Sequence, residues 1–386
     1  MEALGAEIAT VIQNFLPDLH RQHPLPGHLL RTLHALQICR TEAMGGRVEL
    51  CEHCGHEQIV YNSCRNRHCP KCGNIDRERW LAEREADLLP VSYLHMVFTI
   101  PDKLNPLFLH HQSDCYNILF RVVNQVLTGF AANSEFLDAR IGYTAILHTW
   151  GQNLQYHPHL HLVVPAGGIT QNNRWKPSKG DGSFLFPADQ LSSVFRAKMV
   201  EALRSYVREE KIKTTAGLFN SLFEKQWVVY AKPPFAGPKQ VLSYLGRYTH
   251  RVAISNNRIL QVDDKQVTFS WRDYHHNYRQ IITTMKGTEF LKRFSLHILP
   301  PGFTRIRHYG FLSSAAKTKA LKALREYFCL PFDSDHTKVS WQKVASERMG
   351  IEAQCCKNCG HMMQVIRIIP ENFHRPIRAP SLSASW

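Results

Sequence analysis

The stretch Tyr156-His157-Pro158-His159-Leu160-His161-Leu162-Val163-Val164-Pro165 constrains this chain more than any other. Histidines stand on alternate positions and an apolar run follows. In a β-strand, residues two apart share a face. His159 and His161 are therefore expected side by side, with Leu160 on the opposite face. Pro158 cannot donate to a strand ladder, so the strand is expected to begin after it and leave His157 at the margin. Two imidazoles on one face can hold one metal ion. The same pattern also fits half-exposed strand histidines in a chain that carries 22 of them.

A second feature lies downstream. Tyr244-Leu245-Gly246-Arg247-Tyr248-Thr249-His250-Arg251 follows an expected strand over Gln226–Tyr230 and a turn, Pro233-Pro234-Phe235-Ala236-Gly237-Pro238. A helix starting near Gly237 places Tyr244 and Tyr248 one turn apart on one face. The two phenols are either core rings or paired nucleophiles. Arg247, His250 and Arg251 on the same helix suit a phosphate better than a core.

These two motifs resemble those of the rolling-circle insertion-sequence transposases with two tyrosines, the IS91 type. That family carries a His-hydrophobic-His (HUH) motif and a Tyr-x-x-x-Tyr helix. Three further segments are similar to family signatures and come in the family's order: Cys64-Arg65-Asn66-Arg67-His68-Cys69-Pro70-Lys71-Cys72, Thr149-Trp150-Gly151-Gln152-Asn153-Leu154, and Pro301-Gly302-Phe303-Thr304-Arg305-Ile306-Arg307-His308-Tyr309-Gly310-Phe311-Leu312. The resemblance implies an antiparallel palm and a Mg²⁺- or Mn²⁺-dependent attack by Tyr244 or Tyr248 on single-stranded or hairpin DNA at element ends.

Net charge points the same way by another route. Lys and Arg number 47 against 32 Asp and Glu, a balance of +15. Such an excess implies a polyanionic partner, nucleic acid or an anionic membrane. No apolar run approaches the ~20 residues that span a bilayer. The first residues, Met1-Glu2-Ala3-Leu4-Gly5-Ala6-Glu7, lack the basic start of a signal peptide. Nucleic acid is the better partner, and a cytoplasmic, nucleoid-associated bacterial protein is expected. Oligomerisation is left open. The eleven cysteines are then expected to be thiols or metal ligands and not disulfides.

Two Cys-x-x-Cys pairs, Cys51/Cys54 and Cys69/Cys72, predict one tetrahedral zinc site. Gly55 and Gly73 follow the pairs directly, where a tight knuckle wants positive φ. Cys64, His68, His53 and His56 are additional candidates, as substitutes or for a second site. Arg65, Arg67 and Lys71 make the module a candidate phosphate contact as well as a structural staple. In the tail, Cys355-Cys356-Lys357-Asn358-Cys359-Gly360-His361 is one knuckle without a second pair. Cys356, Cys359, His361 and His374 are its candidate ligands; a vestigial or partner-completed site is the alternative.

The fold expected is α+β, an antiparallel-sheet palm with helices on one face behind a helical and zinc-binding N-terminus. Residues 1–90 form that N-terminal region, with the zinc module over 46–75. Residues 91–275 form the catalytic domain, 276–345 a basic helical region, and 346–386 a partly disordered tail. Strands are expected at Tyr93–Ile100, Gly142–Trp150 and Leu160–Pro165, helices over 105–132 and 189–211, and further strands after Arg251. Arg305 and Arg307, beside His308 and Tyr309, are read either as a groove for single-stranded DNA or as a solvated face. Gln152 is the first candidate for a third ion ligand and His157 the second. Two alternatives remain: a replication initiator or relaxase of the same chemistry, and a zinc-ribbon DNA-binding regulator without catalysis.

Overall fold

The computed structural model describes residues 6–180, 185–235, 240–241, 246, 252–273, 279–331, 339–352 and 354–372. Tyr244, Arg247, Tyr248, His250, Arg251 and His374 lie outside the described residues.

The centre is a five-stranded antiparallel sheet in the order β12-β4-β5-β3-β8. Its strands are β3 (Tyr93–Thr99), β4 (Gly142–Trp150), β5 (Tyr156–Pro165), β8 (Val229–Phe235) and β12 (Ile306–Gly310). Leu94, Met96 and Phe98 of β3, Ala145 and Leu147 of β4, and Leu160, Leu162 and Val164 of β5 belong to one large apolar core. The same core takes residues of α4 (Asn105–His110), α5 (Gln112–Ala132) and α6 (Ala188–Glu209). These strand residues alternate along their chains, so they share one face. The other face carries His148, His159 and His161.

β5 begins at Tyr156, before Pro158, earlier than expected. The β4–β5 register slips between His148 and Trp150, so Pro158 stands where the ladder is interrupted. A bulge is one of the few places a sheet tolerates proline. β8 likewise runs through Pro233 and Pro234, where a turn was expected; it is the edge strand of its sheet.

A second core joins distant parts of the chain. Ile8, Val11, Ile12, Phe15 and Leu19 of α1 (Ile8–Gln22) recur at helical spacing. They meet Leu29, Leu33 and Leu36 of α2 (Gly27–Gln37) and Phe290, Leu291 and Phe294 of a helix at Gly287–Ser295. Val267 and Phe269 complete it from a three-stranded sheet of β9 (Ile259–Val262), β10 (Gln266–Asp273) and β11 (Arg279–Lys286). This core crosses the boundaries expected near residues 90 and 275.

Smaller elements finish the molecule. β1 (Gly46–Leu50) pairs with β2 (Glu57–Tyr61) on one side and with β13 (Gln364–Ile369) on the other. β6 (Gly167–Ile169) and β7 (Trp175–Pro177) form a two-stranded ribbon. α3 is Asn74–Glu85, α7 is Leu218–Ser221, α8 is Gly287–Ser295, α9 is Lys317–Tyr327 and α10 is Trp341–Met349. Among the described residues, no helix is long and apolar enough to cross a membrane.

Candidate active site and cysteine clusters

In the β4–β5 register His148 stands opposite His159, and Ile146 opposite His161. Alternation then puts His148, His159 and His161 on one face of two adjacent strands. All three are buried, and their ligand nitrogens lie within 4.8 Å of one another. His159 Nε2 and His161 Nε2 are 3.1 Å apart. Two nitrogens each about 2.1 Å from one ion, at neighbouring coordination positions, are separated by about that much. The third imidazole comes from His148, which the sequence reading missed. Gln152 and His157 line the same cavity beside it. The His157 ring faces Asp102 at 3.7 Å, and the Gln152 backbone carbonyl accepts a hydrogen bond from Arg258.

The Nδ1 atoms of His159 and His161 have partners of their own. His159 Nδ1 lies 2.6 Å from the His157 carbonyl oxygen and can only donate to it, which leaves the Nε2 lone pair free. His161 Nδ1 lies 2.9 Å from Nε2 of His95, on β3. A proton on His161 Nδ1 would likewise leave Nε2 as the unprotonated nitrogen of that ring. Such partners fix the tautomer and orientation of a ligating histidine. His148 is held by stacking on Trp150, with ring centroids 4.6 Å apart. Burial, reinforced by the nearby His157, depresses His159 to about 4, so its ring is neutral at pH 7.

These rings open into a cavity of about 850 Å³, also lined by Asp102, Asn105, Tyr156, Trp271, Arg272 and Asp273. Trp271, Arg272 and Asp273 at the end of β10 are site residues that no sequence motif marked. Val241 is buried in one cluster with Leu81, Tyr93, Ile146 and Val163. Ile146 and Val163 belong to the histidine face. A Cβ added to Gly246 would come within 2.9 Å of Leu81 Cδ1, so this position sits tightly against α3. The two residues bracket Tyr244 in the chain.

The cysteines form two quartets where the sequence reading placed one. Cys69 and Cys72 group with Cys64 and with Cys39, at the end of α2; Cys51 and Cys54 group with Cys356 and Cys359. The physical reason is distribution in space: the Cys51 pair sits on the β1–β2 turn beside β13, whereas the Cys69 pair packs into the second core with Cys39. Cys64 Sγ and Cys72 Sγ are 3.7 Å apart. Tetrahedral zinc with Zn–S bonds of ~2.3 Å sets sulfurs about 3.8 Å apart, so the donor set fits that ion. Cys39 is driven well below the ordinary thiol range by hydrogen bonds from Cys64, Cys69 and Cys72, while Cys64 is driven up by Cys39. Four sulfurs gathered within 4.8 Å of one another could hold one cation.

His68 is not part of either quartet. It is buried, and its Nε2 accepts from the Leu299 backbone N–H at 3.4 Å. Burial, with Arg305 and Arg67 nearby, keeps it neutral. The arginines divide. Arg65 is exposed and available to phosphate. Arg67 instead donates to the carbonyls of Pro300 and Phe303, and Arg305 is buried. Arg307 lies over the Phe120 ring at 4.1 Å and donates to Asn117. The expected groove over 305–309 is β12, paired along its length with β4. A guanidinium can bury its stem and still satisfy its donors on carbonyls, so charge alone did not distinguish these positions.

Comparison with known proteins now bears on the whole. A family described as "Transposase zinc-binding domain" matches residues 11–100, and one described as "Putative transposase" matches residues 142–320. Together they define the class: an enzyme of DNA transposition with a zinc-binding N-terminal region. "Putative transposase y4qJ" of Sinorhizobium fredii (strain NBRC 101917 / NGR234) is 40% identical over 95% of this chain and 96% of its own length. "Transposase for insertion sequence element IS801" of Pseudomonas savastanoi pv. phaseolicola is 26% identical over 86% of this chain and 82% of its own length. The chain belongs to the IS91 family of rolling-circle transposases. No solved structure matches it significantly.

Proposed function

We propose that the histidine face is the catalytic centre of an HUH-type nuclease and strand transferase that cuts single-stranded DNA at the ends of an insertion sequence. The observation that carries this reading is the trio His148, His159 and His161, with two Nε2 atoms 3.1 Å apart and both Nδ1 atoms engaged elsewhere. The three rings would hold one divalent ion. When bound, it supplies Lewis-acid stabilisation of the charge that builds on the non-bridging oxygens of the scissile phosphate. Three imidazoles suit Mn²⁺ better than Mg²⁺, which prefers oxygen ligands.

Tyr244 or Tyr248 then acts as nucleophile. A phenol with a pKa near ~10 is ionised in only about one molecule in a thousand at pH 7, so the electrophile must be strongly polarised. The phenolic oxygen bonds to phosphorus, the bond from phosphorus to the 3′-oxygen breaks, and that oxygen leaves as a hydroxyl after taking up the proton the phenol gives up. One ester replaces another, so no nucleoside triphosphate is consumed and the step reverses. The second tyrosine permits a second cut while the first 5′-end stays attached. Val241 and Gly246 support this placement, since both sit with Leu81 beside the histidine face.

The test is a covalent-adduct assay on single-stranded oligonucleotides from the element ends with Mn²⁺. Wild type is expected to form an adduct that survives denaturing gels. Tyr244→Phe/Tyr248→Phe should form none while still binding DNA. An adduct that persists in the double variant, or a wild type that forms none with any divalent ion, would overturn the reading.

A further inference from the structure

Two six-residue segments of this chain are alike: Cys51-Glu52-His53-Cys54-Gly55-His56 and Cys356-Lys357-Asn358-Cys359-Gly360-His361. Both read Cys-x-x-Cys-Gly-His, and both fold the same way. Cys51 N donates to His56 O at 2.9 Å and Gly55 N to Cys51 O at 2.8 Å. Cys356 N donates to His361 O at 2.7 Å and Gly360 N to Cys356 O at 2.8 Å. Gly55 and Gly360 hold φ of 72° and 77°, the left-handed region that favours glycine. Each segment is a knuckle that turns two sulfurs to one side.

The knuckles face each other. Cys51 Sγ lies 3.4 Å from Cys359 Sγ, and Cys54 Sγ lies 3.6 Å from Cys356 Sγ. All four sulfurs fall within 4.8 Å of one another. The edge of a zinc tetrathiolate is about 3.8 Å, so these spacings match a tetrahedral ion with little adjustment. The His53 and His361 rings stack across the junction with centroids 3.7 Å apart. Behind the knuckles, β13 pairs with β1 from Gly46–Ile369 to Leu50–Gln364.

We propose that Cys51, Cys54, Cys356 and Cys359 bind a second zinc ion, separate from the one held by Cys39, Cys64, Cys69 and Cys72, and that this ion clasps the C-terminal segment onto the N-terminal module. Other contacts of the segment are limited: α10 buries Val344 and Ala345. On β13, Val365, Ile366 and Ile368 are exposed, so the strand buries little apolar surface. Arg348 of α10 pairs with Glu78 and Glu85 of α3, but such surface ion pairs contribute little. A metal that joins ligands some 300 residues apart contributes its binding energy directly to the docking. The first quartet is embedded in the second core, whereas Cys54 is exposed. The clasp ion is therefore the first to leave under a chelator.

Zinc content of the purified full chain tests this. Wild type is expected to carry two zinc ions and Cys356→Ser/Cys359→Ser to carry one. In that variant, hydrogen exchange should rise in β1 and β13 while α1 and α2 stay protected. A chelator titration of wild type gives the same answer without a variant: loss of the first equivalent should expose β1 and β13 while α1 and α2 stay protected. One zinc in wild type, two in the double variant, or unchanged β13 protection after the first equivalent leaves would each overturn the proposal.

Discussion

The two faces of the central sheet are made from alternate residues of the same strands, yet they do opposite things. On one, Leu160 and Leu162 of β5 meet Phe98 and Leu147 beneath α5 and α6, and the packing leaves no room for solvent. On the other, His159 and His161 of the same strand join His148 around an open cavity. Period-two geometry lets one strand anchor a core and present a site at once. The apolar face holds its neighbour's rings still, and a site needs that rigidity.

The comparison can be broken by swapping which face is damaged. His161→Ala should reduce adduct formation by at least about 100-fold, since it removes a proposed ion ligand, with a smaller loss of stability. Leu162→Ala, one residue away, should cost about 2–5 kcal/mol in unfolding free energy and leave ion binding measurable in the folded fraction. Equal effects of both variants on both readouts would dissolve the distinction between the faces. Next in size is His95→Ala. It spares the three rings but removes the partner of His161 Nδ1, and should weaken Mn²⁺ binding by roughly 10–100-fold.

A pH titration separates burial from ion binding. His297 is buried outside the trio, its Nε2 placed 3.1 Å from the Leu154 carbonyl, and burial depresses it to about 4. The unfolded chain binds this proton at ~6.5 and the folded chain does not until near 4, so stability is full above 6.5 and falls as pH drops towards 4. The His297 share is up to roughly 3 kcal/mol, and His297→Gln should flatten the slope of denaturation midpoint against pH in that window. An unchanged slope would place the acid sensitivity elsewhere. The smallest effect concerns the arginines: Arg65→Ala should lower the salt dependence of DNA binding by about one unit with little change in stability. Arg67→Ala should lower stability instead, because it strips donors from the Pro300 and Phe303 carbonyls.

How much was legible follows from the range of each signal. The histidine strand and the helical N-terminus could be read because period-two and period-3.6 patterns are local. His148 could not, because a single histidine in Gly142–Trp150 carries no pattern of its own. Only the hairpin register sets it opposite His159. Counting back from the loop on both strands would have found it. The cysteine spacing was read as metal-binding and assigned to one quartet, because two pairs near in sequence look like one quartet; the structure divides them between two. The repeat of Cys-x-x-Cys-Gly-His in the tail was the available sign of a different pairing. Cys39 had no such sign. The tyrosine pair, Arg247 and Arg251 fall outside the described residues, so their part in the account stands as proposed.

Pulsed electron paramagnetic resonance of Mn²⁺ added to the full chain tests the central claim most directly. Wild type should bind one ion with modulation from imidazole nitrogens, and His148→Ala should lose one nitrogen coupling and bind more weakly. An ion without nitrogen coupling, or coupling and affinity unchanged in His148→Ala, would contradict a three-histidine centre on this face.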